Sequence, residues 1–105
     1  MNIQLSTKGL TADDDLRSYV ERRVLFGLGR FASRLRRVGV RLEDGNGPRG
    51  GPDMACRVVL GLDTGGTLQV TERDAELRPG VDRAVDRAAR NLVRHLEKER
   101  EDRKI

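Results

Sequence analysis

Basic side chains recur at intervals of three or four residues near the C-terminal end of the sequence. At about 100° per residue, this spacing puts them on one face of a helix and along about 20 Å of its length. Arginine binds phosphate groups well, because its forked donors can hold a phosphate through two hydrogen bonds. The pattern therefore predicts a phosphate-binding stripe that consists of Arg83, Arg87, Arg90, Arg94 and Lys98.

The opposite face of the same predicted helix is apolar, so the stripe has a second interpretation. Any soluble amphipathic helix carries charges opposite its buried side, and acidic residues beside the stripe would then form ordinary surface ion pairs. These acidic residues are Asp82, Asp86 and Glu97. The positions of these residues around the helix do not by themselves decide whether the basic face binds RNA or only faces solvent. The apolar positions are Val81, Val85, Ala88, Leu92 and Leu96.

A second basic group falls on the first predicted helix and just after it. These residues do not form one stripe, but beside the last helix they would widen a common basic surface. A solvated helix end explains each of them equally well. The group consists of Arg22, Arg23 and Arg30 within the helix and of Arg34, Arg36 and Arg37 at its end.

Residues suited to catalysis or metal binding are scarce. Cys56 and His95 are the only cysteine and histidine, which is too few for a zinc site without carboxylates. Cys56 also lies at an apolar strand position that predicts burial. The letters Gly-x-Gly-x-x-Ala at residues 27–32 match a dinucleotide fingerprint, but they fall inside a helical pattern and not at a strand-to-helix turn. We therefore predict a protein that is not an enzyme, binds no cofactor and has no small-molecule substrate.

Composition favours a nucleic-acid partner. The 105 residues include 21 Lys and Arg against 17 Asp and Glu, which gives a net charge of +4 and a sequence pI of about 10.0. Tyr19, Phe26 and Phe31 are the only aromatic residues, so we expect contacts with phosphates and shape and little base stacking. No signal-peptide pattern and no apolar run of about 20 residues is present, which favours a cytoplasmic protein without a membrane partner.

Hydrophobic periodicity predicts the element order β-α-β-β-β-α. Apolar positions alternate in four predicted strands and recur every three or four residues in two predicted helices. Three consecutive strands with hairpin-type connections favour an antiparallel meander with both helices on one face, an α+β domain over residues 1–105. The strands are predicted near residues 3–5, 38–42, 54–62 and 68–70, and the helices over residues 12–35 and 81–100.

Local signals refine these boundaries. Thr11 with Asp14 is a candidate N-cap pair for the first helix, and Asp13, Asp14 and Asp15 suit the positive end of its dipole better than a cation site. Gly27 and Gly29 weaken the same helix and predict a bend or an early end. A hairpin turn is predicted at residues 63–66, a flexible Gly/Pro loop at residues 44–53, and a charged tail over about residues 99–105.

The two predicted helices resemble those of the ribosome hibernation-promoting and ribosome-associated inhibitor family. The last helix of that family reads Ile-Asp, three residues, Asp-Lys, two residues, then Arg-Gln-Leu and a final basic residue. The first helix has basic and aromatic positions of its own. In this sequence the matching residues are Val81-Asp82, Asp86-Arg87, Arg90-Asn91-Leu92 and Arg94, together with Leu16-Arg17, Tyr19-Val20, Arg23 and Phe31.

The resemblance covers nearly the whole chain and implies a four-stranded fold that is similar to a double-stranded RNA-binding domain. Members of the family bind the small ribosomal subunit in the channel for messenger RNA and transfer-RNA anticodon ends. They silence translation and preserve idle ribosomes in stationary phase or stress. This implies contacts to ribosomal RNA from Arg23, Arg87, Arg90 and Arg94, whereas Arg83 and Lys98 match no position of the pattern.

The resemblance also implies a short form that has only the ribosome-binding domain. The chain departs from the family's pattern at residues 76–80, at Gly27 and Gly29, and in the Gly-rich loop. A second interpretation stays open, in which a module of the same fold binds proteins or regulates transcription and does not act on ribosomes.

Overall fold

The computed structural model describes residues 1–45 and 54–103, and its elements follow the order that the sequence predicts. The predicted loop falls mostly on residues 46–53, which lie outside the described residues, as do residues 104–105 of the predicted tail. The elements are β1 (Asn2–Lys8), α1 (Asp14–Leu28), a 3₁₀ segment (Gly29–Arg34), β2 (Leu35–Asp44), β3 (Met54–Leu62), β4 (Thr67–Asp74) and α2 (Leu77–Asp102).

The four strands form one mixed sheet in the order β1-β2-β3-β4. The strands β2, β3 and β4 make the predicted antiparallel meander, and β1 adds a parallel edge strand beside β2. Gly65 and Gly66 close the predicted hairpin between β3 and β4 with positive φ angles, a conformation that costs glycine little.

Both helices pack against the same face of the sheet, as predicted. Helix α2 lies on β3 and β4, while α1 lies beside α2 and contacts β1. The inward side chains of the strands meet the apolar sides of the helices in one core, in which Val24, Leu60 and Leu92 are fully buried. Cys56 belongs to this core, and burial raises the pKa of its thiol to about 12. No described helix covers the opposite face, which we call the open face of the sheet.

The first helix ends early, as its two glycines predict. It ends at Leu28, a tighter 3₁₀ segment follows, and Leu35 already begins β2, so the outer bound at residue 35 is wrong. Two glycines at the end of the helix each cost up to about 1 kcal/mol relative to alanine, which favours this early end. The predicted cap is also wrong, because the carboxylate of Asp13 accepts the backbone N–H of Leu16 at 2.8 Å.

The second helix is longer than predicted, since it begins at Leu77 and not at residue 81. Pro79 lies in its first turn, where the missing N–H group leaves no hydrogen bond unmade. The predicted apolar side is confirmed by the burial of Val81, Val85, Ala88 and Leu92. Over the described ranges, neither helix combines the length and apolar character needed to cross a membrane.

Candidate nucleic-acid interface

The two helices meet closely, and this contact sets the geometry of their exposed surface. A Cβ atom at Gly27 would lie 2.7 Å from Cγ1 of Val85, so glycine is needed where the helices approach. Two turns before Gly27 on α1, the hydroxyl of Tyr19 donates to Oδ1 of Asp82 at 2.5 Å. That hydrogen bond raises the pKa of Tyr19 and ties α1 to α2.

Arg23 lies inside the junction between the helices. Its Nε donates to Oδ1 of Asp82 at 3.2 Å, and its Nη2 donates to Asp86. Only 17% of the side chain is exposed, and Nη1 is buried without a hydrogen-bond partner. The sequence predicts an RNA contact at this position, but the structure places Arg23 as a tether that fixes the helices relative to each other.

Two arginines of the predicted stripe face the sheet edge. Arg83 donates hydrogen bonds of 2.8 Å to both Glu72 and Asp74 on β4. Arg87 lies one turn further on and is 3.4 Å from Glu72. The hydrogen bond from Arg83 is the main reason that the pKa of Glu72 lies below its ordinary value. This end of the stripe is therefore largely neutralised within the protein.

The other end of the stripe borders a groove between α2 and the end of α1. Arg90 and Arg94 line it from α2, and Arg30 lines it from the 3₁₀ segment. The guanidinium of Arg30 lies 4.7 Å from the ring centre of Phe31, a cation–π contact that holds the side chain in place. None of the three arginines forms an ion pair with a described residue, although Glu97 also lines the groove. We call this site, with Arg30, Arg90 and Arg94, the helix groove.

Two further predicted contacts are exposed on the helices but do not line this groove. Lys98 is exposed on α2, one turn beyond Arg94. Arg22 is exposed on α1, where its Nε donates to the backbone oxygen of Ser18 at 3.3 Å. Phe26 is 87% exposed and its neighbour Leu25 is 54% exposed, an apolar pair on α1 that the sequence pattern did not single out.

The basic residues that follow α1 do not join this surface. Arg34 is held by Asp63 at 3.0 Å and by Glu99 at 2.7 Å, so it connects the end of α2 to the β3–β4 turn. Arg36 donates to the backbone oxygen of Asp63, and Arg37 lies on the open face of the sheet. The predicted widening of the surface is therefore limited to Arg22 and Arg30.

Residues 27–32, which match the dinucleotide fingerprint, lie at the end of α1 and in the 3₁₀ segment and do not follow a strand. His95 is partly exposed, with Nε2 3.8 Å from Glu99. Cys56 is buried in the core, on β3. Neither residue lines the helix groove.

Comparisons with known proteins agree with this fold. The family model described as "Sigma 54 modulation protein / S30EA ribosomal protein" matches residues 3–100. The chain is 30% identical to the N-terminal domain of Thermus thermophilus Protein Y, with 90% of this chain and 99% of that chain covered and a TM-score of 0.74. A ribosomal subunit interface protein from Coxiella burnetii has the same fold at 14% identity, with 92% and 99% covered and a TM-score of 0.77. None of the curated protein sequences is significantly similar to the chain.

The family match extends from β1 almost to the end of α2, and none of these descriptions names an enzyme. The resemblance to ribosome-associated factors that the sequence indicates is thereby confirmed. The chain belongs to the Sigma 54 modulation protein / S30EA ribosomal protein family.

Proposed function

We propose that this protein silences translation by binding ribosomal RNA of the small subunit through its helix groove. In this account it lies in the channel for messenger RNA and transfer-RNA anticodon ends, and it preserves idle ribosomes in the cytoplasm during stationary phase or stress. Membership of the family and the similarity to a ribosomal subunit interface protein support a ribosomal partner.

The observation that carries the proposal is the set of three arginines that surround one groove without an ion-pair partner in the described part of the chain. Nη2 of Arg94 donates to the neutral amide oxygen of Asn91, but no described carboxylate is paired with the three arginines, so phosphates can bind without first breaking an internal ion pair. The floor between them includes Ala89 and Val93, small enough for an RNA backbone to approach.

The paired residues have supporting roles in this account. Arg23 positions the two helices, because its buried guanidinium connects α1 to Asp82 and Asp86. Arg83 and Arg87 can reach RNA only in competition with Glu72 and Asp74 on β4. Binding should therefore be strongest at the end of the stripe where Arg90, Arg94 and Lys98 lie.

Co-sedimentation with purified small ribosomal subunits tests the proposal. Arg90→Glu/Arg94→Glu should weaken binding by more than about tenfold, since each lost charged hydrogen bond is worth about 1.5–3 kcal/mol. Arg17→Glu/Arg103→Glu is the matched control, because it changes the charge equally at exposed positions near the far ends of the two helices. Binding of the first variant at the level of the control would refute the assignment of the helix groove.

A second candidate function is a protein-binding regulatory module, and the exposed Phe26 and Leu25 favour it. Exposed apolar side chains suit a protein partner better than a phosphate backbone. Sucrose gradients of cells in low-nutrient growth separate the two functions. Absence of the protein from every ribosomal fraction would support the regulatory module, and its presence with small subunits or whole ribosomes would support silencing.

A further inference from the structure

The open face of the sheet concentrates positive charge. Outward side chains of all four strands lie in register across it, so residues that are distant in sequence become neighbours. Five of them are basic and Glu43 is the only acidic one on this face in the described ranges, which leaves a net charge of +4 there, as large as that of the whole chain. The basic residues are Lys8, Arg37, Arg41, Arg57 and Arg73.

Two of these arginines lie directly opposite each other on neighbouring strands. Arg41 on β2 is directly opposite Arg57 on β3, and like charges in directly opposed positions destabilise a sheet. Nε of Arg41 donates to Glu43 at 2.8 Å, but Arg57 has no ion pair with any described residue. Glu43 is the one described carboxylate on this face and is shared among Arg41, Arg57 and Lys8, so an external anion would relieve the repulsion further.

The surface between the arginines is flat and polar. Gly39 and Gly61 have no side chains that project from the sheet. Arg37 lies across Gly61, because a Cβ added at Gly61 would lie 2.8 Å from Cγ of Arg37. Val59 is the largest apolar side chain among the outward residues, and all three aromatic residues lie elsewhere, on α1 and the 3₁₀ segment. A protein partner would find little apolar area here, and bases would find no ring to stack on.

We propose that the open face of the sheet is a second RNA-binding surface, which holds a phosphate backbone through Arg37, Arg57 and Arg73. With strands about 4.8 Å apart and outward residues on one strand about 6.8 Å apart, the register puts Arg73 about 8 Å and Arg37 about 14 Å from Arg57, in a diagonal row across the sheet that can follow a phosphate backbone. A second copy of this chain would be repelled by the same charge. The inference goes beyond the proposed function, which requires only the helix groove, since it places RNA on two opposite sides of the protein.

Binding stoichiometry tests this second surface. The probe is a labelled RNA duplex of about 16 base pairs, a length that a domain of this size can span, titrated by isothermal calorimetry. The wild-type protein should bind two duplexes and Arg37→Gln/Arg57→Gln/Arg73→Gln only one. Arg17→Gln/Arg100→Gln/Arg103→Gln, with the same loss of charge at exposed positions on the helices and directly after α2, should still bind two.

The same titration separates RNA binding by the helix groove from RNA binding by the open face. In Arg90→Gln/Arg94→Gln, one duplex should remain bound, and adding the three sheet substitutions should remove it with a loss on the order of tenfold for each lost contact. A wild-type stoichiometry of one, or two duplexes bound to the sheet variant, overturns the proposal. Displacement of that remaining duplex by poly-glutamate as effectively as by unlabelled RNA also overturns it, because an acidic protein would then fit equally well.

Urea unfolding shows whether the sheet substitutions affect stability as well as RNA binding. Because the sheet arginines repel one another, Arg57→Gln alone should leave the urea midpoint of unfolding unchanged or higher. A clearly lower midpoint would mean that Arg57 has a structural role, which contradicts the proposal.

Discussion

Arginines that look equivalent on the helical wheel should contribute unequally to RNA binding. Arg90 has no ion pair within the described residues, whereas Arg83 is held by Glu72 and Asp74 at 2.8 Å. A cation that neutralises a phosphate releases counterions from the RNA, which makes binding depend on salt. A cation that is already neutralised by carboxylates adds little to this dependence.

The expected change in salt dependence follows from the number of unpaired cations that each variant removes. Each phosphate contact contributes about 0.7 to 0.9 to the slope of log affinity against log salt concentration. Arg90→Gln/Arg94→Gln removes two unpaired cations of the helix groove and should flatten the slope by about 1.4 to 1.8. Arg83→Gln/Arg87→Gln removes the same charge from α2, but it also leaves Glu72 and Asp74 without their partners, so the slope should change by less than one such contribution.

Fluorescence anisotropy of labelled protein with purified small subunits, between about 50 and 200 mM KCl, measures both slopes. The two double variants are matched in charge and lie on the same helix, but only Arg83 and Arg87 are paired with carboxylates. Equal flattening by both variants would mean that internal ion pairs make no difference to counterion release, which contradicts the unequal contribution of these arginines.

Three further predictions concern the fold. Arg23→Met should lower the free energy of unfolding in urea by about 1–3 kcal/mol, because it removes the tether between the helices, and unchanged stability would contradict that role. Glu72→Gln should destabilise the protein near pH 7, because the fold lowers the pKa of Glu72: the stabilisation from its ion pair with Arg83 is fully present above the unfolded value of 4.5 and is lost as pH falls through the lower pKa of the folded protein. Thermal melts of this variant and the wild type should therefore converge in acid, and a constant difference would argue against the pair. With a thiol pKa of about 12, Cys56 should react with thiol reagents only after unfolding, which labelling with and without denaturant would show.

The sequence predicts the scaffold well because hydrophobic periodicity reports burial. Alternation in the strands and the apolar arc of α2, with Val81 and Leu92, are enough to indicate two helices on one face of a four-stranded sheet. The ends of α1 depend on local competition instead. Asp13 and Thr11 are both good caps, and the chain must leave the helix early enough for Leu35 to enter the sheet.

The site is harder to predict, because whether an arginine forms an ion pair depends on contacts between different helices and strands. On the wheel, Arg83 and Arg90 belong to one stripe, and only the position of β4 shows that Glu72 neutralises the first of them. The open face is hidden for the same reason. Arg41 and Arg57 lie on different strands and become neighbours only through the register of β2 with β3.

Hydroxyl-radical footprinting of small-subunit ribosomal RNA, with and without the protein, shows directly where the protein binds. We expect protection of the backbone that lines the channel for messenger RNA and transfer-RNA anticodon ends, and loss of that protection with Arg90→Glu/Arg94→Glu. Protection confined to RNA outside the channel, or no protection at saturating protein, would contradict the proposed function.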